Sequence, residues 1–237
     1  MNILEDIIFV NKKAFKETMK NLKFVPILAI ILFVFKFAEV NIIGLLSGFD
    51  RPSSFILGFA RAAISIAFIS ALISILADIV VYNRLDFKNF FNRFSEYFSP
   101  LMSTYFIIFI IEMLVQVLTQ SITIPYLGLV FTIAMLLLQS PLYEEVYLGN
   151  RFGGEAIYAA FDFVKDNFLQ WLPVLVVYVI AELFFNSSSI MIGLDLEVII
   201  KMIIYGLLLA FIYIYKGHLF RILNGSSMRK RSFQGKF

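Results

Sequence analysis

The chain has no cysteine and a single histidine, His218. Disulfide frameworks, thiol nucleophiles and cysteine-ligated metals are thereby excluded, and imidazole chemistry is confined to one position. Charge is scarce too. Asp, Glu, Lys and Arg make up 16% of the 237 residues, against about 25% in an ordinary soluble domain. A globule of this size must cover its surface with polar groups, and this chain has too few. Phosphate-binding glycine loops, a His-Glu-x-x-His pair and a nucleophile elbow are also missing, Gly153-Gly154 being only a loop. The expectation is a protein without catalytic residues, without a metal site and without a cofactor. The adjacent pair Glu144 and Glu145, beside Tyr143 and Tyr147, is a weak metal signal at most.

What the chain has is apolar surface. Hydrophobic residues make up 60%, with 28 phenylalanines, and the mean hydropathy is +0.87. That surplus has to face lipid. Most apolar runs are cut by a single charge, which costs roughly 2.5 to 3.5 kcal/mol at the centre of a span, while each Leu, Ile, Phe or Val returns about 0.3 to 0.6. About fifteen apolar residues outweigh one charge, so the interrupted runs still insert. Six spans result, at residues 24–43, 57–81, 100–119, 126–147, 171–186 and 197–216. Alternating strands of barrel length are absent, which makes the expected fold an all-α integral membrane protein.

Basic residues outside the spans set the orientation. All but four of the 20 Lys and Arg fall on one side: Lys12 to Lys23, then Arg84, Lys88 and Arg93, then Arg151 and Lys165, and finally Lys216 to Lys236. The opposite side has Arg51 alone, and Lys36, Arg61 and Lys201 lie inside spans. The chain is therefore expected in the cell's cytoplasmic membrane, with both termini in the cytoplasm. The first 23 residues are too charged for a signal peptide and include Glu5, Asp6 and Glu17, which a transit peptide avoids, so the N-terminus is expected to be retained.

Pro26, Pro100 and Pro173 open the odd-numbered spans at spacings of 74 and 73 residues. Before each lies a charged stretch with helical apolar spacing: Phe15, Met19 and Leu22; Phe87, Phe90, Phe91, Phe94 and Phe98; Ile157, Phe161, Val164 and Phe168. Positions three and four apart share one helix face, so each stretch predicts an amphipathic helix at the cytoplasmic interface. The unit of amphipathic helix, span and span recurs at about 4–81, 86–147 and 155–220, within a single membrane domain that ends in a basic tail at 225–237. Ala14-Phe15 with Asn21 matches Ala160-Phe161 with Asn167.

Ionisable residues inside the spans are the candidate site. Glu39, Glu112 and Glu182 stand 13, 12 and 9 residues past their prolines, roughly 14 to 20 Å into the membrane. Lys36, Arg61 and Lys201 balance them, and Asp78 lies nearer the cytoplasmic end of its span. Lys36 with Glu39, and Glu197 with Lys201, are spaced to pair within one helix. Glu112 and Glu182 have no partner in their own spans. The small residues Ala63, Ala67 and Ala71, with Ser70 and Ser74, predict that the second span sits inside the bundle. Pro141 frees a carbonyl ahead of Glu144 and predicts a kink or a helix boundary.

The cationic, aromatic tail from Met228 to Phe237 suits anionic lipid headgroups, and no nucleic acid is expected as a partner. The Lys-rich lead helix with Ala-Phe and Asn before Pro-Ile-Leu, echoed ahead of later spans, resembles bacterial six-span proteins of the YciC-like group and the membrane domain of glycerophosphodiester phosphodiesterases. The resemblance implies an integral inner-membrane protein without catalytic residues. The soluble phosphodiesterase domain is absent from this sequence, so that activity does not carry over. The first expectation for function is a membrane-embedded scaffold or partner subunit, bound to a membrane or cytoplasmic protein. The second is a permease, and a lipid-modifying enzyme comes third. Geometry separates the first two: a permease lines a polar cavity with its mid-span acids, whereas a scaffold buries them against Arg61, Lys201 or Ser and Tyr hydroxyls.

Overall fold

The computed structural model describes residues 2–47, 54–86, 88, 90–121, 126–190, 196–226 and 231. Among them there is no strand, and eight α-helices follow in order: α1 Ile3–Lys20, α2 Val25–Ser47, α3 Ser54–Tyr82, α4 Phe90–Ser121, α5 Leu127–Gln139, α6 Leu142–Tyr147, α7 Gly153–Ile190 and α8 Leu196–Asn224. Six helical segments are long and apolar enough to cross a membrane: Leu22–Ile42, Gly58–Tyr82, Phe90–Thr119, Leu127–Tyr147, Gly153–Phe185 and Ile200–Asn224. The third begins well before the expected residue 100, because its charged lead stretch continues into the span without a break in the helix; the fifth, expected from 171, extends back to Gly153 across a kink at Asn167.

Helix α1 starts on a capping box in which Asn2 and Glu5 exchange hydrogen bonds, with Glu5 and Asp6 in the first turn and Lys20 in the last to complement the helix dipole. Its buried residues Asp6, Val10, Ala14 and Thr18 recur every fourth position and form one stripe, which packs chiefly on α8. Phe15 and Met19, on the other face, are exposed. Asn21 then breaks the helix before the 3₁₀ turn Leu22–Phe24. Its counterpart Asn167 breaks α7 in the same way, at φ −126° and ψ 19°. Both asparagines are buried. The second lead stretch has no such break, and α4 runs through Pro100 unbroken.

Helices α3 and α8 form the centre of the bundle: 67% and 61% of their most apolar windows are buried, against 17 to 33% for the other four spans. Ser70, Ser74 and Ala71 are buried as the small-residue spacing predicts. Helices α7 and α8 run antiparallel, with Phe163 against Phe220 at one end and Phe184 against Tyr205 at the other. Gly217 marks the closest approach in this region. A Cβ there would fall on the Tyr147 hydroxyl and 2.9 Å from Val80 Cγ2. Helix α5 is the outlier, with no buried residue along its length. The chain turns at Ser140-Pro141 from α5 into the short α6, and Leu142, Glu144, Glu145, Val146 and Tyr147 of α6 are all buried. The Pro141 expectation thus resolves as a boundary between two helices.

Candidate functional site

An open cavity of about 580 Å³ lies between α4, α5 and α7 and includes Lys216 of α8 in its lining; Glu112 is exposed on it. Along α4 its lining runs from Tyr105 to Thr119, about 21 Å of helix at 1.5 Å per residue. Glu112 and Glu182 both line it. A second cavity, about 190 Å³, is lined by Glu39, Lys36, Ser65 and Tyr213 and shares Tyr143 and Glu182 with the first. A third, about 230 Å³, lies between α3 and α4 and shares Tyr105, Glu112 and Gln139 with the first. One acid from each odd-numbered span therefore lines a group of three neighbouring cavities that share wall residues, Tyr105 and Tyr143 among them.

The three carboxylates are held differently. Glu39 accepts from the Lys36 ammonium at 3.0 Å and the Ser65 hydroxyl at 2.5 Å. Glu112 accepts from the Gln139 amide at 2.9 Å. Glu182 accepts a long 3.4 Å bond from the Tyr213 hydroxyl. Among the described residues neither Glu112 nor Glu182 has an ion-pair partner. Lys201 instead pairs with Glu197 at 2.6 Å, both side chains being more than half exposed. Arg61 is exposed on α3. Asp78 belongs to a separate cluster, where it pairs with Arg93 and accepts from the Asp86 backbone N–H at 3.2 Å.

Lys216 requires a correction. The sequence reading counts it among the basic residues outside the spans, yet its side chain is 1% exposed and its ammonium lies 3.5 Å from the equally buried Glu144 carboxylate. Four rings surround that ammonium: Tyr178 at 4.3 Å, Trp171 at 5.7 Å, Tyr143 at 5.9 Å and Tyr213 at 6.0 Å. The faces of these rings are electron-rich and stabilise the buried charge. The Trp171 N–H donates to Ser140 Oγ at 2.9 Å, which ties the cage to the α5–α6 turn. Sequence reasoning missed this cluster, although the Pro141 turn before Glu144 was its visible signal. Nothing local marks Lys216, because apart from Tyr213 its partners come from α6 and α7.

Glu145 turns away from Glu144 and accepts from Arg151 at 2.8 Å. No group of three His, Asp or Glu residues spaced for a metal occurs among the described residues. The basic tail also departs from expectation at one point. Arg231 is 2% exposed rather than free for lipid headgroups, and it donates to both Asp6 oxygens at 2.8 Å. Gln170 of α7 donates to the same carboxylate at 2.8 Å. Burial alone would raise the Asp6 pKa, but the hydrogen bonds from Arg231 and Gln170 outweigh it and hold the group below its ordinary value of 3.8. Residues 228–230 and 232–237 lie outside the described residues.

Searches against protein-family models, curated proteins and solved structures return no match to this chain. The functional reading therefore rests on the geometry of the site.

Proposed function

We propose that this multi-pass membrane protein is a small permease whose path runs past Glu39, Glu112 and Glu182. One observation carries the reading: an acid from each odd-numbered span lines one of three adjacent cavities that share wall residues. Mid-membrane ionisable groups are costly, and where they face an internal cavity they mark substrate or ion pathways. Internal repeats that place binding groups near the midplane are a recurring transporter plan. The hydroxyl contacts of Ser65 and Tyr213 also suit a scaffold, but a scaffold has no use for a cavity of this size beside two acids without cationic partners. Helix α5, with no buried residue, is the wall with least packing to lose if the path opens.

The proposal includes a cytoplasmic membrane location with both termini inside. Removing Lys216 from the basic count leaves the asymmetry behind that orientation almost unchanged. Flux of purified protein in liposomes is the test, over a panel of inorganic cations, amines, amino acids and sugars. Wild type should move at least one solute, and Glu112→Gln and Glu182→Gln should each cut that flux by about tenfold, the equivalent of about 1.4 kcal/mol. Absence of wild-type flux across the panel would return the scaffold to first place, whereas flux unchanged in both variants would take these acids out of the path and leave transport standing.

A further inference from the structure

The permease reading leaves open what the path carries, and the lining narrows it by charge. Glu112 and Glu182 bring two carboxylates to the main cavity without cationic partners among the described residues. The single cation lining it, Lys216, is already neutralised by Glu144 at 3.5 Å and enclosed by four rings. It therefore offers an incoming anion little uncompensated charge. A zwitterion would need such a positive subsite. The aromatic floor favours the opposite sign, because it already stabilises one ammonium within the bilayer.

Shape narrows the choice further. The third cavity, about 230 Å³, is bordered by Phe59, Ala62, Ile66, Phe106 and Phe109 and shares Glu112 as a wall residue with the main cavity. An apolar compartment opening beside a carboxylate fits a hydrocarbon tail next to a positive head. Gln116, Gln139, Thr119 and Thr132 of the main cavity could meet the hydroxyls of a sugar, but a sugar would leave the apolar compartment unfilled.

Resting on the permease reading, we infer that the substrate is an amphiphilic organic cation, with its ammonium head at Glu112 and Glu182 and its hydrocarbon tail in the α3–α4 cavity. The head exchanges water for two carboxylates and aromatic faces. The tail moves from one apolar environment to another, so charge supplies the selectivity and the second cavity sets the tail length accommodated.

The test is equilibrium dialysis of the full chain in nanodiscs of zwitterionic lipid against octyltrimethylammonium, with empty nanodiscs as the blank. Saturable binding is expected. Glu112→Gln and Glu182→Gln should each weaken it about tenfold, which corresponds to about 1.4 kcal/mol, while Glu112→Asp and Glu182→Asp retain most of it. Ala62→Phe, which narrows the tail cavity, should weaken the octyl compound but not butyltrimethylammonium. Emission from the single tryptophan, Trp171, checks that each variant is folded. Equal or tighter saturable binding of octyl sulfate or octylphosphocholine would overturn the inference, as would octyltrimethylammonium affinity unchanged by both glutamine substitutions. Absence of saturable ammonium binding alongside carboxylate-dependent flux of other solutes removes the inference and leaves the permease. Ammonium binding with the expected variant pattern but no flux of any solute removes the permease and leaves the site.

Discussion

Replacing Lys216 by methionine isolates the electrostatics of the buried cage. The Met side chain approximates the lysine stem in length and is flexible enough to fill the same space, so packing is largely kept. The ammonium is lost, and the Glu144 carboxyl, its side chain 1% exposed, is left without a counter-charge. Glu144 already has one oxygen, Oε2, with no hydrogen-bond partner. Deleting one member of a buried pair costs about 3 to 5 kcal/mol, chiefly through the charge left behind. The ring contacts add to the same loss and cannot be summed with it, because they stabilise the same ammonium. Lys216→Met should therefore destabilise the protein by about 3 to 5 kcal/mol, and Glu144→Gln by an amount toward the lower end of that range, since the rings still face the lysine. The double variant leaves no charge behind and should return to within about 1 kcal/mol of wild type. Trp171 lies against Lys216 and is the only tryptophan, so its fluorescence reports unfolding in graded denaturing detergent without a label. The reasoning fails if both single variants stay within about 0.5 kcal/mol of wild type, or if the double variant loses the sum of the two.

Two further outcomes follow from contacts at the end of the bundle that carries the termini. Asp6→Ala leaves the Arg231 guanidinium buried without its carboxylate, a loss of about 3 to 5 kcal/mol locally, and should speed amide hydrogen exchange in α1 more than a hundredfold at neutral pH. In wild type the Asp6 pKa is held below 3.8, so the clasp is fully formed above that pH and weakens as pH falls through the lower folded-state value; exchange corrected for the intrinsic rate that rose only above neutrality would contradict this. Gly217→Ala should cost about 1 to 3 kcal/mol by overpacking against Tyr147 and Val80, and Tyr147→Phe, which removes the struck hydroxyl, should recover part of that loss in a thermal melt of the double variant.

The sequence by itself determined the class of protein and the positions of its spans. Apolar excess and helical spacing are local properties, and the cost of one charge against about fifteen apolar residues is decided within a single segment. Spacing along each helix was legible for the same reason, since rise per residue sets how far Glu39, Glu112 and Glu182 lie from their prolines without reference to any neighbour. The i,i+3 pair Lys36–Glu39 and the i,i+4 pair Glu197–Lys201 were visible because both partners share one helix. What only the tertiary structure decided is which faces meet. Rotation of each helix about its axis, and the register of α7 on α8, bring Glu112, Glu182 and Glu39 to neighbouring cavities that share Tyr105 and Tyr143 as wall residues, and no single span records that convergence. Lys216 shows the limit most clearly. A lysine at the end of an apolar run reaches the headgroups when nothing competes for it. It stays inside here because Glu144 from α6, Tyr143 from the same short helix, and Trp171 and Tyr178 from α7 arrive around it together.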